Sequence, residues 1–172
     1  FKDVALSMLP QLITAAREKT GLTDEILILT ATSGDTGKAA LAGFCDVPGT
    51  RILVFYPDAG VSEVRQAQMV TPEGKNVCVC AVRGNFDDTQ TGVKAIFAAG
   101  VPEDSGVLLS SANSINIGRL APQVVYYLEA YAELLRGGRI NPGDRVDYVV
   151  PTGNFGDILA GYLAKRMGLP VG

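Results

Sequence analysis

Ile26-Leu-Ile-Leu-Thr30, a continuous apolar run, is followed directly by the turn-forming segment Thr32-Ser-Gly-Asp-Thr-Gly37. A short apolar run of this kind is typical of a strand that is covered on both faces of a sheet, and the turn residues mark its end. The residues from Lys38 to Phe44 can then continue as a helix. The pattern predicts a strand, a loop and a helix in that order.

The same order of elements recurs along the chain. Apolar runs at 51–56 and 76–82 are each followed by a helical pattern, at 62–70 and 86–99. The sequence also predicts strands at 107–109 and 146–150 and helices at 2–19, 117–135 and 158–167. Apolar strands that alternate with helices predict an α/β fold, in which open twisted parallel sheets carry helices on both faces in three αβα layers.

Composition limits the possible functions. The 172 residues carry a net charge of −3, so the chain offers no basic surface that would favour a nucleic-acid partner. No apolar run reaches the roughly 18 residues that a membrane span needs. The chain contains no histidine, so catalysis by a Ser-His-Asp or Cys-His arrangement is excluded for this stretch.

Cys78 and Cys80 lie two positions apart in a predicted strand and therefore share a face of the sheet. Without a histidine or a second cysteine pair to complete a ligand set, we interpret them as buried apolar side chains, and no metal site is predicted. Three cysteines are an odd number in a chain that lacks the character of a disulfide scaffold. The predicted location is therefore the cytoplasm.

Three loops follow predicted strands at their carboxyl ends, where ligands bind in open α/β sheets. Loop 152–157 has two glycines before a helix, so its backbone N–H groups can point at a phosphate. Loops 32–38 and 110–119 are rich in Ser, Thr and Asn, and the second contains Arg119, whose planar guanidinium suits a phosphate or a carboxylate. Each loop taken alone is also compatible with an ordinary helix start.

None of these loops carries an established nucleotide motif. Loop 32–38 lacks the glycine at 32 and the hydroxyl at 39 that a P-loop requires, and loop 152–157 does not have the spacing of a dinucleotide fingerprint. A nucleotide-binding domain is therefore disfavoured, and Lys38 is interpreted as a solvated side chain at a helix start.

Four motifs, taken together in their order, resemble the threonine synthase family of fold-type II pyridoxal-phosphate (PLP) enzymes. They are Phe1-Lys2-Asp3-Val-Ala5, Ala31-Thr-Ser-Gly-Asp-Thr-Gly37, Asn113-Ser-Ile-Asn-Ile-Gly-Arg119 and Pro151-Thr-Gly-Asn-Phe-Gly-Asp157. The resemblance covers the whole chain and implies an internal fragment of a two-domain α/β enzyme. In that enzyme, residues 22–106 would form the smaller domain, and residues 1–21 and 107–172 would be parts of the larger, PLP-binding domain.

The resemblance also implies a role for particular residues. Lys2 would carry the cofactor, pyridoxal 5'-phosphate, and act as the catalytic residue, while Asp35 or Asn116 would contact the 3'-oxygen of the cofactor. The PLP phosphate would be surrounded by Gly153, Asn154, Phe155, Gly156 and Asp157. The substrate carboxylate would be held by Ser33, Gly34 and Thr36, and the substrate phosphate by Asn113, Ser114 and Arg119. The partner of the pyridine nitrogen is expected outside this chain.

The activity that the resemblance implies is the conversion of O-phospho-L-homoserine and water to L-threonine and phosphate. One alternative is a PLP-dependent phospho-lyase of the same fold, which would release a keto acid instead of threonine. Another is a non-catalytic α/β module that binds a small phosphorylated ligand and would not need Lys2. The sequence leaves the oligomeric state open.

Overall fold

The computed structural model describes residues 2–151 and 155–172. The chain divides into two compact units, Phe1–Arg119 and Leu120–Gly172, here called unit 1 and unit 2. Within the described part of the chain, no helix is both long enough and apolar enough to cross a membrane.

Unit 1 is built on a four-stranded sheet. Its strands are β1 (Glu25–Ala31), β2 (Thr50–Pro57), β3 (Val77–Val82) and β4 (Val107–Ser111), in the spatial order β3-β2-β1-β4. All three neighbouring pairs are parallel, and the central strand β1 places Ile28 opposite Ile52 of β2 and Ser110 of β4. The predicted parallel sheet of an α/β fold is confirmed.

Helices cover both faces of this sheet. They are α1 (Lys2–Thr20), α2 (Asp35–Phe44), α3 (Glu63–Val70) and α4 (Phe86–Ala99), with a 3₁₀ turn at Glu103–Ser105. Side chains alternate along β1, so Ile26 and Ile28 join a cluster that includes residues of α1 and α2, whereas Leu29 joins Val93 of α4. Each face of the central strand is therefore buried by a different set of helices, as three layers require.

Unit 2 is helical. Unit 1 ends within a short helix, α5 (Ile117–Leu120). A 3₁₀ turn at Ala121–Gln123 then leads into α6 (Val124–Arg136), and α7 is Phe155–Arg166. The prediction of one helix over 117–135 is wrong in this respect. Pro122 has no backbone N–H and clashes with an α-helical turn before it, so the helical path is interrupted there.

The strand predicted at 146–150 does not form. Val146 makes an isolated parallel bridge with Val171, and Val149 is fully exposed. A strand needs a neighbour for its backbone hydrogen bonds, and the described residues provide one at Val146 alone. The apolar residues of this segment predicted a strand, but the described residues contain no neighbouring strand with which it could pair.

The side chains of Cys78 and Cys80 are exposed, so their interpretation as buried residues is wrong. They lie on β3, which is an edge strand of the sheet, and α4 packs on β1 and β2 rather than on β3. Cys45 is half-buried, and all three cysteines are free thiols. Across residues 2–151 and 155–172, no cluster of His, Cys, Asp or Glu could hold a metal ion.

Candidate functional site

The carboxyl ends of β1 and β4 define the candidate site in unit 1. These strands are neighbours in the sheet, and each runs into a loop that leads to a helix, α2 after β1 and α5 after β4. The first loop and helix start contain Ser33, Gly34, Asp35 and Thr36, and the second contain Asn113, Ser114, Asn116 and Arg119. The two groups of predicted ligand contacts therefore lie on adjacent strand ends.

Thr32 organises the loop after β1. Its side chain is buried, and its Oγ1 accepts hydrogen bonds from the backbone N–H groups of Gly34 at 2.9 Å and Gly37 at 3.0 Å. A β-carbon at Gly37 would lie 2.5 Å from the Thr32 methyl group, which explains why glycine is required at that position. Two backbone N–H groups near the start of α2 are thus bonded within the protein.

Arg65 of α3 contacts the same loop. Its Nε lies 3.4 Å from Oδ1 of Asp35, and its side chain passes so close to Gly34 that a β-carbon there would be 2.6 Å from Arg65 Cδ. Gly34 also has a φ of 144°, which glycine adopts more readily than other residues. Asp35, predicted as a possible contact of the cofactor, has its carboxylate beside an arginine that sequence reasoning missed.

Asn113 joins the loop after β4 to the end of β1. Its Nδ2 donates a hydrogen bond to the carbonyl of Ala31 at 3.0 Å, and its Oδ1 accepts one from the N–H of Ala31 at 3.2 Å. Oδ1 also lies 3.3 Å from the hydroxyl of Ser111, which donates to it. The side chain that was predicted to bind a substrate phosphate therefore contacts the protein backbone.

Asn116 is used within its own loop. Its Nδ2 donates to the carbonyl of Ser111 at 2.8 Å and to Oγ of Ser110 at 3.2 Å, while its Oδ1 accepts the N–H of Gly118 at 2.9 Å. These contacts occupy both N–H bonds of the amide and fix the start of α5. Arg119, in that helix, is only 2 % exposed, and Ser114 is half-buried.

Lys2 is the first described residue and the first residue of α1. Helix α1 packs closely on α2, with Leu6, Leu9 and Phe44 in the shared cluster. Next to Lys2, the carboxylate of Asp3 accepts a hydrogen bond from Nζ of Lys38 at 3.2 Å. Lys38 is thus paired rather than simply solvated, and the pair joins the first turn of α1 to the first turns of α2.

We expect Lys38→Gln to raise the pKa of Asp3 towards its ordinary value. The hydrogen bond from Lys38 holds that pKa low, and the positive charge of Lys38 also contributes. The pair stabilises the fold fully at pH values above the pKa that the carboxyl has in the unfolded chain. This stabilisation is lost as the pH falls through the lowered pKa of the folded state. Because both side chains are partly exposed, the contribution is about 0.2–1 kcal/mol.

An NMR titration of the Asp3 carboxyl in both proteins tests this expectation. Lys94→Gln serves as the control, since Lys94 contacts Gln90 in α4 and carries no ion pair with Asp3. An unchanged Asp3 titration in Lys38→Gln would show that the pair does not form in solution.

In unit 2, the predicted phosphate loop leads into the first turn of α7. Gly153 and Asn154 lie outside the described residues, while Phe155 is exposed and Gly156 is buried. Asp157 is joined to α6, because the hydroxyl of Tyr127 donates to its backbone carbonyl at 2.8 Å and lies 3.3 Å from Oδ1 of its carboxylate. Sequence reasoning missed Tyr127, whose contact with Asp157 spans 30 positions.

Tyr127→Phe is expected to lower the free energy of unfolding by about 0.5–1.5 kcal/mol at neutral pH, the usual net value of one hydrogen bond. Burial, reinforced by the charge of Asp157 and its hydrogen bond, raises the pKa of Tyr127 to about 12. In the unfolded chain the pKa of a tyrosine is near 10. The extra free energy of unfolding of the wild type should therefore decrease as the pH rises from about 10 to about 12.

Denaturant unfolding of both proteins between pH 7 and 12 measures this difference. Tyr162→Phe is the matched control, since Tyr162 lies on α7 with half of its surface exposed. The difference in the free energy of unfolding between Tyr127→Phe and the wild type should fall at high pH. If it stays constant across this range, folding does not raise the pKa of Tyr127.

Comparison with known proteins places this chain beside threonine synthases. No family model matches the chain. It is 46 % identical to the threonine synthase of Pseudomonas aeruginosa over 175 residues and 41 % identical to the human protein called threonine synthase-like 1 over 181 residues. Each match covers 99 % of the chain but only 35 % and 24 % of the relative, so the chain spans about a quarter to a third of the curated relatives it matches.

Solved structures agree with this placement. The PLP-bound threonine synthase of Brucella melitensis superposes with a TM-score of 0.79 at 43 % identity, and the yeast threonine synthase with a TM-score of 0.80 at 38 % identity. Both cover 99 % of the chain, which accounts for 35 % and 34 % of those chains. The fold is therefore that of fold-type II PLP enzymes, as predicted.

Proposed function

We propose that this chain, which is homologous to threonine synthases, is part of a PLP-dependent enzyme that converts O-phospho-L-homoserine and water to L-threonine and phosphate. The observation that carries the proposal is the similarity to threonine synthases along 99 % of the chain. The supporting chemistry is a lysine at the start of α1 and two hydroxyl- and amide-rich loops on adjacent strand ends of unit 1. Such loops suit an amino acid that carries a phosphate.

The residues of this chain fit pyridoxal 5'-phosphate as the cofactor. Lys2 would supply a primary amine that can hold it covalently. Its phosphate would be surrounded by Gly153 and Asn154, which lie outside the described residues, and by Phe155, Gly156 and Asp157 in the first turn of α7, where a helix N-terminus carries a partial positive charge. The hydroxyl of Tyr127, which donates to the backbone carbonyl of Asp157 and lies 3.3 Å from its carboxylate, holds the first turn of α7 against α6. When bound, PLP withdraws electrons from the α-carbon of an amino-acid substrate.

Lys2 is proposed to act also as the base that removes the α-proton of the substrate and returns protons in later steps. A primary amine suits this task because its unprotonated form can accept a proton and its protonated form can return one. Ser33, Gly34 and Thr36 would bind the substrate carboxylate, for which the N–H of Gly34 would have to share or leave its present acceptor, Oγ1 of Thr32. Either Asp35 or Asn116 would contact the 3'-oxygen of the cofactor. Asn116 would have to release one of the hydrogen bonds that its Nδ2 donates now.

Arg119, with Asn113 and Ser114, is proposed to bind the substrate phosphate and to stabilise it as it leaves. The guanidinium of Arg119 is buried, and a positive charge in a poorly solvated place attracts a phosphate more strongly than it would in water. Water then adds at the β-carbon, and threonine is released.

Product analysis tests the proposed reaction. The protein is incubated with PLP and O-phospho-L-homoserine, and threonine, inorganic phosphate and keto acid are measured. Equal amounts of threonine and phosphate are expected. Phosphate with a keto acid would instead support the phospho-lyase of the same fold. Tight binding without any phosphate release would favour the non-catalytic module.

We also propose that the complete enzyme has two domains and lies in the cytoplasm. Residues 22–106 would form its smaller domain, and residues 1–21 and 107–172 would belong to the larger one. A cytoplasmic location is supported by the three free thiols, which a reducing compartment preserves.

A further inference from the structure

The side chain of Asn113 continues the sheet where β1 and β4 separate. The paired register of these strands ends at Leu29 opposite Ser111, two residues before the end of β1. Ala31 lies beyond it, and both its N–H and its carbonyl are bonded to the amide of Asn113, at 3.2 and 3.0 Å. A primary amide has the same donor and acceptor as a peptide group, so the side chain replaces one backbone rung of the ladder.

Ser111 holds this amide in place. Its hydroxyl oxygen accepts the backbone N–H of Asn113 at 3.1 Å and lies 3.3 Å from Oδ1 of the same residue. Ser111 is only 4 % exposed, and Ala31 only 3 %. Because its surroundings are buried, the orientation of the amide is fixed by the protein before any ligand arrives.

The contact reaches the loop after β1 through the next residue. Ala31 is bonded to Asn113, and Thr32, which follows it, accepts the N–H groups of Gly34 and Gly37. The path from Asn113 to the loop at 33–36 thus consists of the hydrogen bonds to Ala31, the peptide bond from Ala31 to Thr32, and the hydrogen bonds that Thr32 accepts. Displacement of Ala31 would displace the hydroxyl that organises this loop.

We propose that Asn113 is a positioning residue that fixes the loop at 33–36 relative to the loop after β4. This role differs from the direct phosphate contact that the family resemblance implies, and its significance for the reaction rests on the proposed function. Its contacts with Ala31 leave one N–H of the amide for any further partner. Asn113 would therefore govern binding of the amino-acid part of the substrate as well as of its phosphate.

Hydrogen exchange of the Ala31 amide, followed by NMR in the protein without ligand, tests the contact itself. Asn113→Ala removes the acceptor, and Asn113→Asp keeps its shape but loses the donor to the Ala31 carbonyl. In Asn113→Ala the amide of Ala31 should exchange at least about tenfold faster, while that of Leu29 is unchanged. Equal protection of Ala31 in the wild type and in Asn113→Ala would overturn the proposal.

Ligand binding tests the consequence for the site. Calorimetry with O-phospho-L-homoserine and, separately, with L-homoserine compares Asn113→Ala with Ser114→Ala in the PLP-loaded protein, both in a Lys2→Ala background in which the substrate is not expected to be consumed. A positioning role predicts that Asn113→Ala weakens both ligands, by roughly ten- to a hundredfold, because misplacement of the loop affects every contact that it makes. Ser114→Ala should weaken the phosphorylated ligand alone.

These measurements distinguish a failure of the positioning role of Asn113 from a failure of the proposed function. If Asn113→Ala weakens only the phosphorylated ligand, Asn113 is a direct phosphate contact, and the positioning role is overturned. If the wild type binds neither ligand, the proposed function fails, and the exchange rate of the Ala31 amide still decides whether Asn113 fixes the two loops.

Discussion

Replacement of Lys2 by alanine is expected to abolish the formation of threonine from O-phospho-L-homoserine. If Lys2 holds the cofactor and moves the α-proton, the variant loses a covalent anchor and a general base at the same time. A single positioned acid–base group contributes about 10²–10⁴-fold to a rate, so turnover should fall by at least that factor. Steady-state rates of phosphate and threonine release measure the effect.

Lys19→Ala is the control, because Lys19 is an exposed lysine in the last turn of the same helix. It should retain wild-type rates. Borohydride reduction of the PLP-treated protein, followed by peptide mapping, gives a second readout that does not depend on activity. A reduced pyridoxyl group on a lysine other than Lys2, or normal turnover in Lys2→Ala, would remove the assignment.

Gly43→Ala is expected to destabilise unit 1 by about 1–3 kcal/mol, which is typical of overpacking in a closely packed interior. A β-carbon at this position would lie 2.3 Å from the carbonyl oxygen of Leu6 in α1. That atom belongs to the backbone, so it cannot move aside by a rotamer change, and α1 would have to shift as a whole. Since α1 begins at Lys2, the shift should also displace the amine that we propose to hold the cofactor.

Gly92→Ala is the matched control for this substitution. Gly92 also lies inside a helix, α4, but a β-carbon there meets nothing within 4 Å. Alanine is favoured over glycine in a helix by about 0.5–1 kcal/mol, so this variant should equal or exceed the wild type in stability. Denaturant unfolding compares the three proteins, and equal midpoints for Gly43→Ala and the wild type would contradict the close approach of α1 and α2.

The elements of unit 1 could be predicted because each leaves a local signature. A strand that is covered on both faces, such as β1, must be apolar at successive positions, and α4 begins as predicted because Asn85 and Asp88 form a capping box. The strand at 146–150 failed for the opposite reason. Its apolar residues indicate only that the segment can be buried. Whether it forms a strand depends on a neighbouring strand, and no local sequence pattern shows whether one is present.

The candidate site was predictable in its residue types but not in its contacts. Ser, Thr and Asn at strand ends indicate hydrogen bonding near a ligand, yet the sequence cannot tell whether a side-chain amide serves the ligand or the backbone. Asn113 bonds to Ala31, 82 positions away, and Tyr127 bonds to Asp157. Contacts over such separations arise from the fold and carry no signal in spacing or periodicity.

The strand order β3-β2-β1-β4 has a consequence for the time course of folding. Ile26 pairs with Thr50 in β2 but with Leu108 in β4, and closing the longer loop costs about 1 kcal/mol more in chain entropy. We therefore expect β1, β2 and β3 to associate before β4 is added. Pulse-labelling exchange during refolding should protect Leu53 before Ala31. The edge of the sheet that carries the candidate site would then be the last part of unit 1 to mature.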